Sequence, residues 1–270
     1  MSGDVGTKSS TGRRETAPRR FAARVEYDGT EFAGFQLQPD ARTVQGALET
    51  ALAPLAGEGR IVVDGAGRTD TGVHATGQVI AFTYPGALSA EQLERALNGR
   101  LPRDVAVRDV RQVPLAFHPR RAARYREYRY TVWNGPRSPL RERTALGVRV
   151  PLDTAAMTRA GSVLEGRHDF RAFGGAGRQP LRTVYSVRIR RDGRLVTIDV
   201  RADSFLRGMV RRIVAVLLEV GRGRIDEDDV RAALAAGTPA LDGAAAPAKG
   251  LCLVRVALGR SQGTDGEDEE

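Results

Sequence analysis

The same succession of strands and helices occurs twice along this chain, and few folds accommodate such a repeat. Where apolar residues alternate we predict strands, and where they recur three or four positions apart we predict helices. In the first half these elements are a strand over 21–29, a helix over 43–57, strands over 60–65 and 78–84, a helix over 89–100 and a strand over 104–113. Their order is strand-helix-strand-strand-helix-strand.

The second half repeats this order. An Asp192-Gly193 pair, which favours a tight hairpin turn, divides residues 183–202 into two strands. The predicted elements are a strand over 125–133, a helix over 151–166, the hairpin over 183–202, helices over 204–223 and 226–236, and a strand over 250–258. Each half therefore predicts a ferredoxin-like α+β unit, in which helices cover one face of a four-stranded sheet.

The two predicted units cover residues 20–120 and 121–259. The flanking segments 1–19 and 260–270 are polar or charged and are expected to be disordered tails, the second of them acidic. We find neither a secretory signal nor an apolar run long enough to span a bilayer, so we expect a cytoplasmic protein without a membrane partner. The single cysteine, Cys252, lies in an apolar strand and is predicted to be a buried thiol.

The charge of the chain leaves two interpretations open. The formal net charge is +9, although the last ten residues contain five acids and no base. Only Lys8 and Lys249 are lysines, so nearly all the positive charge is carried by arginine, whose planar fork suits bidentate phosphate contacts. The composition fits a polyanionic partner, with nucleic acid the leading candidate, and it also fits an arginine-rich surface without such a partner.

The stretch GAGRTDTGVHATGQV, residues 65–79, is too polar for a core strand and too rich in glycine for a helix. It does not fit a dinucleotide-binding loop, because Asp70 takes the place of the third glycine, and the chain has no Gly-Lys-Ser/Thr tripeptide of a P-loop. His74, His118 and His168 are too widely separated to indicate a zinc site. The lone carboxylate of Asp70 therefore belongs either to a turn or to a functional site on a long loop.

Seven segments of the chain, including this stretch, resemble the motifs of the tRNA pseudouridine synthase A (TruA) family and occur in the same order. The resemblance extends over about residues 20–258. The segments are YDGTEFAGFQLQP (27–39), RTVQGALE (42–49), GAGRTDTGVHATGQV (65–79), FHPRRAARYREYRYTVWN (117–134), GRHDFRAF (166–173), DSFLRGMVRRIV (203–214) and APAKGLCL (246–253).

The resemblance implies that the two halves share one extended, mainly antiparallel sheet. It implies that Asp70 is the catalytic aspartate, that Tyr128 packs against the target uracil, that Arg68 is the motif arginine and that Arg211 lies near the aspartate. It also implies a reaction without a cofactor on uridines around positions 38 to 40 of the tRNA anticodon stem-loop, performed by a homodimer. One departure from the family pattern is Phe35, which stands where tryptophan is frequent.

Several alternatives stay open at this point. Asp70 must be ionised to act as a nucleophile or a base, and Arg68 and Arg211 are the candidate cations beside it. Arg68 alternatively contacts an RNA phosphate, Arg211 is alternatively a solvated helix residue, and Tyr128 is alternatively a core residue. The three histidines are expected to orient loops or to be structural. The rival functions are a non-catalytic RNA-binding protein of the same architecture and a glycoside hydrolase, which needs a second carboxylate such as Asp64.

Overall fold

A computed structural model describes residues 17–57, 59–174, 179–241, 243 and 245–259. The tails predicted over 1–19 and 260–270 lie outside these residues, except for 17–19, and Arg19 begins the first strand. Within the described residues, no helix is both long and apolar enough to cross a bilayer.

The N-terminal half follows the predicted order of elements. Thr43 caps the first helix by accepting the Gly46 N–H, and the capping box that Ser89 and Gln92 predict for the second helix is confirmed. The elements are β1 (Arg19–Tyr27), α1 (Val44–Ala56), β2 (Val63–Gly65), β3 (His74–Tyr84), α2 (Ala90–Asn98) and β4 (Val105–Val113).

The C-terminal half repeats the order, with short elements that the sequence pattern did not indicate. The additional elements are α3, which lies against β2 and β3, and the short strands β6 and β7. In full, this half comprises α3 (Pro119–Ala122), β5 (Ala123–Asn134), β6 (Leu146–Val148), α4 (Thr154–Val163), β7 (Gly166–Asp169), β8 (Leu181–Asp192), β9 (Leu195–Ala202), α5 (Met209–Gly221), α6 (Glu227–Ala236) and β10 (Leu251–Leu258).

All ten strands join one sheet whose main path is β4-β1-β3-β10-β5-β9-β8-β7, with β2 paired to β3 and β6 paired to β5. The strands β4-β1-β3-β2 and β10-β5-β9-β8 have the same order within their halves and are antiparallel. The halves meet where β10 runs parallel to the start of β3, with Cys252 opposite His74 and Leu253 opposite Ala75. The predicted fold class, two tandem ferredoxin-like halves with one extended, mainly antiparallel sheet, is confirmed.

The core lies between the sheet and the helices. In the first half, paired Phe21 and Phe82 belong to the same buried cluster as the leucines of α1 and α2. In the second half, α4 packs so closely against β8 that a Cβ on Gly161 would lie 2.9 Å from Val187. Burial of these large side chains, at about 25 cal/mol per Å² of apolar surface, is the main stabilising contribution to each half.

Two predicted boundaries differ from the structure by four residues or more. The strand expected to begin at Gln78 begins at His74, so the polar loop is only residues 66–73. The first residues of β3 pair with β1 and with β10, which is distant in the sequence. The residue pattern of the segment itself does not indicate these partners. The helix expected from residue 204 begins at Met209, because Gly208 takes a left-handed conformation with φ 69° and interrupts helical geometry.

Candidate active site

Asp70 lies on the loop between β2 and β3, beside the junction of the two halves. Its backbone C=O accepts the N–H of Val73 at 3.1 Å, which closes a turn immediately before β3 begins. The side chain is half-buried. A turn, one of the two alternatives for Asp70, is therefore present, and it directs the chain from Asp70 into β3.

The segment after β1 fixes the position of the residue before Asp70. The buried hydroxyls of Tyr27 and Thr69 lie 2.8 Å apart, and the backbone N–H of Phe35 donates to the Thr69 C=O at 3.1 Å. Gly34 has φ 100°, and a Cβ there would lie 2.9 Å from the Thr69 carbonyl oxygen. Glycine is required at this position because only it combines that conformation with so close an approach.

Tyr128 lies on β5 and faces the same side of the sheet as the buried Tyr130. Its ring is 9% exposed and meets the Phe205 ring edge-on, with the centroids 5.2 Å apart and the planes at 87°. Burial, and then the negative charge of Asp70, raise the pKa of the Tyr128 hydroxyl above its usual range. The phenol is therefore neutral, and the Asp70 carboxylate lies near enough for its charge to act on it.

The structure does not bring the two predicted arginines into an ion pair with Asp70. Arg211 is half-buried on α5, and its Nε donates to the Ala246 C=O at 2.6 Å. Its positive charge lowers the pKa of the Tyr130 hydroxyl, against the larger rise that burial causes. Tyr130 lies two residues beyond Tyr128 on β5. Arg68 is exposed, and within the described part of the chain its side chain has no hydrogen-bond or ion-pair partner. No other cation of the described residues is paired with Asp70 either.

The histidines hold loops, as expected for His74 and His118. Nδ1 of His74 accepts the Gly29 N–H at 3.0 Å, and its Nε2 lies 2.9 Å from the Arg143 C=O in the other half. The ring of His118 caps α3 by accepting the Arg120 N–H. Within the described ranges, no group of three or more His, Cys, Asp or Glu residues has an arrangement that suits a metal ion.

Sequence reasoning missed two polar side chains that hold the Asp70 loop. Gln78 on β3 is fully buried and hydrogen-bonds the backbone of Gly67, while Arg126 on β5 hydrogen-bonds the C=O of Ala66. Both lie on the helix-covered face of the sheet. A polar residue in phase with buried apolar neighbours along a strand is the signal that could have identified them.

Comparison with known proteins agrees with this fold and with the motifs. A family model described as tRNA pseudouridine synthase matches residues 23–120 and 160–257, one segment in each half. Among curated relatives, a tRNA pseudouridine synthase A from Geotalea uraniireducens is 41% identical over 88% of this chain and 99% of its own length. Another, from Syntrophotalea carbinolica, is 45% identical over 86% of this chain and 94% of its own length.

Similarity to solved structures is weaker. An H/ACA ribonucleoprotein bound to a substrate RNA containing 2′-deoxyuridine is 12% identical with a TM-score of 0.32, over 74% of this chain and 53% of that one. A TM-score this low carries no argument about the fold. The family model, by contrast, matches a long segment in each half, and the two curated relatives cover 86–88% of the chain. The chain therefore belongs to the tRNA pseudouridine synthase family.

Proposed function

We propose that this chain, an isomerase that converts uridine to pseudouridine in tRNA, acts on uridines around positions 38 to 40 of the anticodon stem-loop. Asp70 is the catalytic carboxylate, and Tyr128 packs against the uracil once the target nucleotide has left its stack. The observation that carries this proposal is that the segments of Asp70 and Tyr128, which come from different halves of the chain, meet in the sheet. Leu253 of β10 pairs with Tyr128 on one side and with Ala75, five residues after Asp70, on the other.

The chemistry suits a single carboxylate beside an aromatic ring. The N1–C1′ bond of uridine breaks, the base rotates, C5 bonds to C1′, and the C5 proton moves to N1 through solvent or a side chain. Atoms and electrons balance without an oxidant or a second substrate. An ionised Asp70 acts as a nucleophile at carbon or as a base towards the sugar. An extruded base is held by stacking on an aromatic ring, which is the role of Tyr128.

Arginines of the surface supply the contacts to RNA. The net charge of +9 favours a polyanion, and phosphate contacts fix the position of an RNA without specifying its sequence. Arg68 contacts a phosphate next to the extruded nucleotide, a role that its exposure two residues before Asp70 supports. Arg211 lies near enough to Tyr130 for its positive charge to oppose the rise in the pKa of that hydroxyl. The protein acts as a cytoplasmic homodimer that a tRNA spans.

The experiment is release of tritium from tRNA that carries tritium at C5 of uridine, for the wild-type protein and for Asp70→Asn. We expect release by the wild type and loss of release by the variant, with tRNA binding retained in both. Mapping of pseudouridine in the product tests the anticodon positions, and sedimentation tests the dimer. Equal release from both proteins would exclude Asp70 as the catalyst.

The alternative that the sequence left open was a non-catalytic RNA-binding protein of the same architecture. It predicts tRNA binding by the wild type without any tritium release. The convergence of the Asp70 loop with Tyr128 disfavours it, because binding alone does not need a carboxylate held beside the site of a polyanionic ligand.

A further inference from the structure

The guanidinium of Arg126 bonds three segments that surround the candidate active site. Nη2 donates to the Ala66 C=O at 2.8 Å and to the Arg120 C=O at 3.2 Å, and Nη1 donates to the Asp203 C=O at 2.8 Å. Nε lies 3.3 Å from the same Ala66 oxygen. Ala66 opens the Asp70 loop, Arg120 lies in α3 between the halves, and Asp203 precedes the segment that carries Phe205.

The acceptors of Arg126 are all backbone carbonyls, and they belong to three separate segments of the chain. Among the described residues, no Asp or Glu forms an ion pair with it, although it is partly buried. The carboxylate of Asp203 accepts instead from the N–H groups of Ser204 and Thr183. Burial lowers the pKa of Arg126, and the nearby Asp203 carboxylate opposes that shift without forming an ion pair with it.

The position of Arg126 relates this charge to the reaction. It precedes Tyr128 by two residues on β5 and therefore faces the same side of the sheet. Its positive charge lowers the pKa of the Tyr128 hydroxyl, whereas the negative charge of Asp70 raises it. One side chain thus holds the start of the Asp70 loop, the entrance to α5 and the strand of Tyr128 at fixed separations.

We infer that Arg126 is a positioning residue that sets the separation between the Asp70 loop and the Tyr128 ring, and that its five-donor guanidinium is required because three carbonyls must be held together. This inference rests on the proposed function of Asp70. Lysine keeps the charge, but its ammonium cannot present a planar fork to acceptors on three segments. The requirement is therefore for the shape of the group as well as for its charge.

The experiment measures the rate of tritium release in a single turnover at saturating enzyme, the dissociation constant for tRNA and the Tm. The variants are Arg126→Gly, Arg126→Lys and, as a matched control, Arg188→Gln, which removes an exposed arginine from β8. We expect both Arg126 variants to lose on the order of 10²-fold in rate, since small displacements of catalytic groups have effects of this size. The dissociation constant should follow that of the control.

Chemical rescue of the reaction rate distinguishes a positioning role of the Arg126 guanidinium from a general effect of the substitution on folding. Guanidinium ion at tens of millimolar should restore most of the lost rate to Arg126→Gly, because the ion can occupy the vacated space and bond the same carbonyls. It should leave the wild type and Arg188→Gln unchanged. Folded Arg126→Gly without rescue, or a rate equal to that of the wild type, would overturn the inference.

Two further comparisons keep the result interpretable. If Arg126→Gly does not fold, Arg126→Lys decides: a reduced rate at an unchanged Tm supports the inference, and a wild-type rate overturns it. Asp70→Asn is measured beside them. If Asp70→Asn releases tritium at the wild-type rate, the proposed function of Asp70 fails whatever the Arg126 variants do. If Asp70→Asn is inactive, the proposed role of Asp70 is supported, and the Arg126 variants by themselves decide the inference about Arg126.

Discussion

The side-chain amide of Gln78 forms two hydrogen bonds with the backbone of Gly67. Its Oε1 accepts the Gly67 N–H at 3.3 Å, and its Nε2 donates to the Gly67 C=O at 2.9 Å. Gln78 is fully buried on β3. Its side-chain amide supplies Gly67 with the hydrogen bonds that the backbone of a neighbouring strand would otherwise provide. The amide thereby fixes Gly67 three residues before Asp70, which joins the sheet framework directly to the candidate catalytic loop.

Replacing Gln78 by glutamate should make stability depend on pH. The carboxyl has the same shape, and burial should raise its pKa above the usual value of about 4.3. The protonated acid donates to the Gly67 C=O as glutamine does, so stability is retained at low pH and is lost as pH rises through the raised pKa. We expect the Tm of Gln78→Glu to approach the wild-type value only at or below about pH 4 and to fall progressively below it up to about pH 8.

The matched control for this prediction is Gln112→Glu, which makes the same change at an exposed position on β4. Its Tm should follow that of the wild type over the same pH range. A Tm difference between Gln78→Glu and the wild type that is independent of pH would contradict the assignment of a donor role to the Gln78 amide.

The fold could be predicted because each half buries one face of a sheet, and this requirement leaves a strong periodicity in the sequence. The errors occur where a distant partner decides the structure. β3 extends back to His74 because β10, some 180 residues later in the chain, pairs with it. The short β6 and β7 are likewise defined by their neighbours in the sheet rather than by their own patterns.

The site was predictable only in part, for the same reason. Asp70 and Tyr128 were found through a resemblance to a family, and their proximity agrees with it. Arg126 was not singled out, because its acceptors at Ala66 and Asp203 are 60 and 77 residues away in sequence. Side chains that hold a site through backbone carbonyls leave no motif, since any residue offers a carbonyl.

Removing the edge-on contact between Phe205 and Tyr128 should slow the reaction more than it weakens RNA binding. An aromatic pair of this geometry contributes about 0.5–1.5 kcal/mol beyond the area that it buries, and it restricts the orientation of the Tyr128 ring. We expect Phe205→Ala to lose about tenfold in single-turnover rate, by the arithmetic of about 1.4 kcal/mol per tenfold. Tyr185→Ala, which removes an exposed aromatic ring, should keep the wild-type rate.

Tyr128→Phe separates the ring of Tyr128 from its hydroxyl. The pKa of the hydroxyl is raised above the ordinary value of about 10, so the phenol is neutral throughout about pH 6–9. The rate profiles of the wild type and Tyr128→Phe over this range should therefore have the same shape. We expect the variant to bind tRNA normally and to release tritium about 10²-fold more slowly, because it lacks the hydroxyl as a candidate carrier of the C5 proton. An unchanged rate would show that the ring alone is needed.

Replacing Asp64 tests the alternative interpretation of the protein as a glycoside hydrolase, a class of enzyme that needs two carboxylates. Its Oδ2 lies 2.6 Å from Nη2 of Arg20, so the charge is already paired within the sheet. We expect Asp64→Asn to cost about 1 kcal/mol of stability, measured by denaturant unfolding, and to keep the wild-type rate of tritium release. A loss of rate as large as that of Asp70→Asn would instead indicate a reaction with two carboxylates.

Replacing Arg68 distinguishes a role in contacting RNA from a role beside Asp70. It is exposed and, among the described residues, has no partner, which favours a phosphate contact. We expect Arg68→Gln to weaken tRNA binding and to reduce the slope of log K against log salt by about 0.7–0.9, as for one lost phosphate contact. The single-turnover rate at saturating enzyme should stay near that of Arg95→Gln, a control at an exposed position on α2. If the rate at saturation falls while the salt slope is unchanged, Arg68 acts on Asp70 in the bound complex instead.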